Sequence, residues 1–149
     1  MNGENKFNLK LLGKNQEDLR VISAYLQDSV VIVKDIVFLK KNRTFVMLVN
    51  RFMWEDVEQE AFRQNKRVRC AVKFENVIKV ESKNINQNNK NKTLEYLALE
   101  CSLNADETHC IKIFFSGDSI ITMNVEIIDV DIQDLGKTWN VKYIPKHKI

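Results

Sequence analysis

The chain has 149 residues, of which 44% are hydrophobic and 29% are charged. This length and composition predict a single globular domain over 1–149 and exclude a disordered or collagen-like chain. The formal net charge of +3 is too small to indicate a nucleic-acid partner by itself.

The first third of the chain predicts one helix surrounded by short strands. Apolar residues at helical spacing predict a helix over 16–28, capped by Asn15. Alternating or β-branched runs predict strands over 7–11, 30–33, 36–39 and 44–52. The last two of these strands form a hairpin through a polar turn at 40–43.

The middle of the chain alternates between strand patterns and polar segments. A strand over 68–74 is predicted to continue through Asn76 into 77–80, with a bulge between the two. Three segments outside strands are a short helix or loop over 55–64, a mobile Asn/Lys loop over 84–92 and a tail over 145–149.

A β-hairpin near the centre allows a test of register. Its apolar faces match when three pairs oppose each other: Cys101 with Ile111, Leu99 with Ile113, and Leu97 with Phe115. The same register places Glu100 opposite Lys112, a favourable pair of charges. Two independent patterns therefore predict one register.

The next turn, Ser116-Gly117-Asp118-Ser119, gives conflicting signals. A two-residue turn would pair Phe115 with Ile120, whereas the apolar pattern places Ile121 opposite Ile113. A longer loop or a bulge would resolve this conflict. A second change of phase at residues 127–128 predicts another bulge or bend.

These elements predict an α+β fold that is predominantly antiparallel β. About eight strands form a curved sheet or partly open barrel, and one N-terminal helix closes it. A two-layer arrangement of helix on sheet is the alternative.

The cysteines and the N-terminus predict the compartment. The chain has three cysteines, Cys70, Cys101 and Cys110, without the spacing of a zinc or redox motif. No apolar signal core and no stretch of about 20 apolar residues is present. We therefore expect a cytoplasmic protein with reduced thiols and no membrane association.

Catalytic and cofactor motifs are missing. Glycines at positions 3, 13, 117 and 136 cannot form a dinucleotide fingerprint or a phosphate loop. His109 and Cys110 are neighbours on one strand, so they point to opposite faces and cannot act as a local pair. We expect no cofactor and no metal, and the prediction inclines towards a protein that is not an enzyme.

An acidic stretch offers the strongest enzymatic alternative. Glu126, Asp129, Asp131 and Asp134 could hold a hard cation or perform acid–base chemistry. The other interpretation is a solvated strand face whose charges discourage edge pairing.

A basic cluster offers a nucleic-acid alternative. Arg63, Lys66, Arg67 and Arg69 can follow a phosphate backbone, although they would neutralise only a few phosphates. Any binding to nucleic acid is therefore predicted to be weak and independent of sequence. The other interpretation is a solvated loop.

The most specific candidate for a ligand site follows a buried strand. Arg51 offers bidentate binding and Trp54 a stacking face, with Asn50 beside them. The structural alternative has Arg51 stacking on Trp54 and pairing with Glu55. Two further candidate ligand-binding residues lie at the end of the predicted helix, Gln27 and Asp28.

Four segments resemble a known family. They are 7–12, 17–28, the Leu-Val-Asn-Arg-Phe-x-Trp-Glu segment at 48–55, and the Asp-Leu-Gly-x-x-Trp segment at 134–139. Together they resemble a small alphaproteobacterial family of unknown function, and the resemblance covers nearly the whole chain. It implies a stand-alone bacterial protein of about this size and supplies no catalytic residues.

Three functions remain open at this point. The first is a non-enzymatic binding or interaction module, whose partner is a protein or a small anionic ligand. The second is a small carboxylate-based enzyme, with or without a metal. The third is a weak nucleic-acid binder, for which no specific sequence is expected.

Overall fold

In this computed structural model, residues 9–52 and 65–141 are described. One helix, α1, spans Gln16–Tyr25, and a 3₁₀ turn spans Lys40–Asn42. The two described ranges contain nine strands: β1 Lys10–Gly13, β2 Val30–Leu39, β3 Thr44–Phe52, β4 Asn65–Phe74, β5 Val77–Lys83, β6 Thr93–Leu103, β7 His109–Phe115, β8 Ser119–Val125 and β9 Val130–Val141.

The strands form one antiparallel sheet that is not closed, in the order β1-β9-β4-β3-β2-β6-β7-β8-β5. This confirms the predominantly antiparallel class with a single helix. The connections from β4 to β5 and from β8 to β9 join distant positions in that order. Side chains from strands near both ends of this order, together with α1, form one hydrophobic core.

Helix α1 begins as predicted and ends earlier. The Asn15 side chain accepts a hydrogen bond from the Asp18 N–H at 2.8 Å, which confirms the cap. The helix stops at Tyr25, three residues before the predicted end, because the chain turns there and Asp28 adopts a left-handed φ of 63°. Within the described residues, no helix is long and apolar enough to cross a membrane.

Strand β2 is one strand, although the sequence predicted two. Its register with β3 shifts between Val31 and Ile36, because four residues of β2 are accommodated opposite a shorter stretch of β3. Only Val30, Val31 and Ile32 pair with β6. Beyond them, the edge of β2 that faces away from β3 has no paired strand among the described residues. The predicted hairpin between β2 and β3 is confirmed.

The predicted continuation from 68–74 into 77–80 is wrong. Asn76 has a left-handed φ of 57°, so the chain turns between β4 and β5 instead of bulging within one strand. Strand β5 then pairs with β8 at the far edge of the sheet.

The register predicted for β6 and β7 is partly confirmed. Cys101 lies opposite Ile111, and Leu99 lies opposite Ile113. Glu100 lies opposite Lys112, as the charges predicted. The third apolar pair is wrong: a register shift between Tyr96 and Ala98 places Tyr96 opposite Phe115, and Leu97 is 54% exposed.

Both predicted phase changes have a structural cause. Phe115 pairs with Ser119, so three residues form the loop between β7 and β8, and Ile121 lies opposite Ile113. The longer loop is therefore the correct solution, and the apolar pattern prevails over the two-residue turn. Near residues 127–128 the chain leaves the sheet in a bend between β8 and β9.

Candidate functional site

Arg51, the central residue of the predicted ligand site, lies inside the protein. Its Nε donates to Asp134 Oδ1 at 2.8 Å, and its Nη2 donates to Asp134 Oδ2 at 2.8 Å. Both side chains are 0% exposed. This two-pronged geometry is the strongest form of a carboxylate–guanidinium contact, and it joins β3 to β9 across the intervening β4.

Two further residues, Leu9 and Tyr25, lie close to this ion pair. The Leu9 N–H donates to Asp134 Oδ2 at 2.8 Å, and the Arg51 guanidinium lies 6.0 Å from the centre of the Tyr25 ring. Burial raises the pKa of the Cys70 thiol well above its usual range, and the nearby Asp134 carboxylate raises it further. The thiol therefore stays protonated and is a poor nucleophile.

The structure separates Asn50 from Arg51, as expected for neighbours on a strand. Asn50 lies on the outer face, where it opposes Arg69 of β4. Arg67 donates through Nη1 to the carbonyl oxygens of Asn50 and Asp28, both at 3.3 Å. The turn that follows α1 and this part of β4 therefore meet through Arg67.

The basic cluster is only partly described. Arg69 binds Asp35 at 3.2 Å, and the Arg67 guanidinium lies 5.6 Å from the centre of the Phe52 ring. Burial lowers the pKa of Arg67, and Asp28 acts in the opposite direction. Four sequence candidates lie outside the described part of the chain in whole or in their side chains: Trp54, Glu55, Arg63 and Lys66.

The acidic residues do not converge on one point. Asp129 pairs with Lys14 at 2.9 Å, and Glu126 pairs with Arg43 at 2.9 Å. Asp134 is the partner of Arg51. In residues 9–52 and 65–141, no group of three His, Cys, Asp or Glu side chains is placed to hold a metal ion.

A mostly apolar cavity lies elsewhere, along the unpaired edge of β2. We call it the β2-edge cavity; its volume is about 420 Å³. Its apolar lining includes Ile36, Val37, Phe38, Phe45, Ile85 and Ile121. Because successive strand side chains point to opposite faces, a cavity that touches 36, 37 and 38 must follow the edge of the strand. Buried Phe45 and Ile121 form its floor.

The rim of the β2-edge cavity is polar and basic. Lys34 and Lys90 line it, and the Lys34 N–H donates to the Lys90 carbonyl at 3.0 Å. Gln87 and Ser82 also line the rim and are hydrogen-bonded to each other at 3.1 Å. Within the described residues neither lysine has an ion-pair partner, and both line the opening.

Sequence reasoning missed this cavity because it depends on which strands are neighbours. The Asn/Lys loop supplies Ile85, Gln87 and Lys90 to the wall, although its composition indicated only irregular structure. The one available signal was Ile85, an isolated apolar residue in a polar segment. Apolar residues in such loops commonly pack against something.

Comparisons with known proteins agree with the resemblance of the four segments. A family model described as "Protein of unknown function (DUF2948)" matches residues 9–147. The search of curated proteins found no match, and the search of solved structures found none.

Proposed function

The chain belongs to the DUF2948 family, whose function is unknown, and we propose that it is a non-enzymatic binding module. Its ligand is a small molecule with an apolar body and an anionic group, and the β2-edge cavity holds it. The observation that carries this proposal is an apolar cavity of about 420 Å³ with two lysines at its rim that have no ion-pair partner among the described residues. Cytoplasmic location and alphaproteobacterial origin stay predictions.

The volume and lining support the apolar part of the ligand. Small-molecule sites usually enclose about 300–1,000 Å³ and are mostly apolar, with a few polar groups that set orientation. The wall supplied by Ile36, Phe38 and Ile85 has this character. The unpaired β2 edge adds backbone donors and acceptors, which need partners when water is displaced.

The rim supports the anionic part. Lys34 of β2 and Lys90 of the loop before β6 are joined by a backbone hydrogen bond, and both line the cavity. A carboxylate or phosphate at this rim would form ion pairs with their ammonium groups. Gln87 offers a further donor beside them.

The proposal is tested with eight-carbon probes that differ only in the head group. We expect octanoate and octyl phosphate to raise the melting temperature and to give saturable heats in titration calorimetry, whereas octanol and octylamine bind at least about tenfold more weakly. The two anionic probes distinguish a carboxylate ligand from a phosphate ester. Absence of binding by every probe would overturn the proposal.

Two variants locate the site. Lys34→Gln should weaken octanoate binding while leaving octanol binding unchanged, because it removes one charge and none of the apolar wall. Ser82→Phe should weaken both, because it fills the cavity. Lys41→Gln is the matched control: this exposed lysine does not line the cavity, so its removal should change neither. Equal losses in Lys34→Gln and Lys41→Gln would refute the assignment of the rim.

A further inference from the structure

Strand β5 is the terminal strand of the sheet and has an open edge. One edge pairs with β8. On the other edge, the Val77 N–H donates to the Arg43 carbonyl at 2.9 Å, and the rest of β5 pairs with no strand among the described residues. Such an edge presents backbone donors and acceptors that a further strand can use.

Charges of alternating sign run along the outer face of this edge. Lys79, Glu81 and Lys83 alternate with Val80 and Ser82. The Lys79 and Glu81 side chains are 63% exposed and form an ion pair at 3.2 Å. An edge with charge of a single sign would repel an identical edge in every register, but an alternating edge repels it in some registers and attracts it in others.

Symmetry limits the registers in which β5 can pair with β5 of a second copy. A two-fold axis perpendicular to the sheet keeps every residue on its own face, so the axis must pass through a residue and not between two residues. Most of β5 lies opposite β5 of the second copy when the axis passes at one of three residues: Lys79, Val80 or Glu81.

Charge distinguishes these three positions. With the axis at Lys79, the two copies of Lys79 face each other and repel. With the axis at Glu81, the two copies of Glu81 face each other, and Lys79 faces Lys83, so both pairs repel. With the axis at Val80, Lys79 of each copy faces Glu81 of the other, and the paired stretch covers the whole strand from Val77 to Lys83. Only the last register is attractive.

We infer that the open edge of β5 is a homodimerisation surface, on which two copies pair antiparallel about an axis at Val80 and form one continuous sheet. The same charges act against unrelated strands, because a strand without this alternation offers no opposite charge across the pairing to Lys79 and Glu81. Exposed Ile78 would then lie opposite Ser82 of the second copy. The inference does not rest on the proposed ligand, although Val80 and Ser82 also line the β2-edge cavity, so a second copy paired on this edge would lie beside it.

Charge exchange tests the surface. Sedimentation velocity over rising concentration should show the wild-type chain passing from monomer to dimer. Lys79→Glu and Glu81→Lys should each abolish the dimer, because each sets two like charges in opposition. The double variant K79E/E81K should restore it, because both cross-strand pairs return with reversed sign. Circular dichroism verifies that every variant is folded. A wild-type chain that stays monomeric, or a double variant that fails to dimerise, would overturn the inference.

Cross-linking tests the register. In a chain carrying Cys101→Ser and Cys110→Ser, Val80→Cys should form an intermolecular disulfide under mild oxidation, because directly opposed residues are about 4.5–5.5 Å apart at Cα. Lys83→Cys is the control, since it would lie opposite Val77 and far from its own copy. Faster cross-linking of Lys83→Cys than of Val80→Cys would refute an axis at Val80.

Discussion

The interior around Arg51 and the β2-edge cavity differ in how they place charged side chains. Arg51 and Asp134 are both fully buried, and each satisfies the other through two short hydrogen bonds. Lys34 and Lys90 are exposed and stand beside an apolar cavity without an acidic partner among the described residues. A buried and matched charge is part of the fold, because loss of one partner leaves the other buried and uncompensated, whereas unmatched charge beside accessible apolar surface is available to a ligand.

Removing the buried charge should have the largest effect. Arg51→Ala should lower the free energy of unfolding by about 3–5 kcal/mol, because it leaves the Asp134 carboxylate buried without its partner. Urea denaturation measures the loss. Lys34→Gln, at the rim of the cavity, is the matched comparison and should stay within about 0.5 kcal/mol of wild type.

A double variant tests whether the loss of stability in Arg51→Ala comes from the unpaired carboxylate that it leaves in the core. Arg51→Met combined with Asp134→Leu should cost less than either single charge removal, since no unpaired charge remains. If Arg51→Ala instead keeps its stability within about 0.5 kcal/mol and loses activity in a complementation assay, Arg51 acts on a ligand and the comparison fails.

The contrast between buried and exposed positions can also be tested on β6. Leu99 is 6% exposed and Leu97 is 54% exposed, although they are two residues apart. Leu99→Ala should cost about 2–5 kcal/mol, while Leu97→Ala should cost less than about 0.5 kcal/mol. Glu100→Ala should lose under about 1 kcal/mol. Equal losses for the two leucines in denaturant melts would contradict the register shift after Tyr96.

A smaller effect is expected at high pH from a buried hydroxyl. Tyr96 binds Ser23 of α1 at 2.7 Å, and burial raises the pKa of Tyr96 from 10.0 to about 12. Between these values the unfolded chain releases the phenol proton and the folded chain retains it. Stability should therefore fall as pH rises through this window, by at most about 1.4 kcal/mol per pH unit.

Tyr96→Phe isolates this contribution. The variant cannot ionise at position 96, so its stability should fall less steeply than that of the wild type between pH 10 and 12, and the two slopes should agree below pH 10. Parallel slopes over the whole range would show that the Tyr96 hydroxyl titrates in the folded protein as it does in the unfolded chain.

What the sequence could predict was local in character. The cap at Asn15 and the pairing of Glu100 with Lys112 depend on short spacings, and both are confirmed. The partner of Arg51 could not be predicted, because Asp134 is 83 positions away and both residues lie in patterns with other interpretations. The register shift after Tyr96 was also missed, since an alternating apolar pattern assumes an uninterrupted strand.

The candidate cavity was beyond sequence reasoning for a related reason. Residue periodicity shows which face of a strand is apolar, but it does not show which strand lies beside it. The open edge of β2 follows from its parting from β6 after Ile32. The ligand-site prediction grouped Asn50 with Arg51, which requires the strand to end or bulge there, whereas β3 continues to Phe52 and keeps the two side chains on opposite faces.

The distance along the chain between Arg51 and Asp134 has a consequence for folding during synthesis. The ribosome releases the N-terminal part first, so β2 and β3 emerge well before residue 134. Until Asp134 is synthesised, the Arg51 guanidinium near the end of β3 lacks the carboxylate with which it is buried in the folded protein. Burying this unpaired guanidinium early would be costly. The growing chain therefore leaves hydrophobic surface exposed to solvent until β9 is complete. The long separation in sequence therefore ties final folding to the synthesis of β9, and it prolongs the time for which chaperones and proteases can reach the unfolded segments.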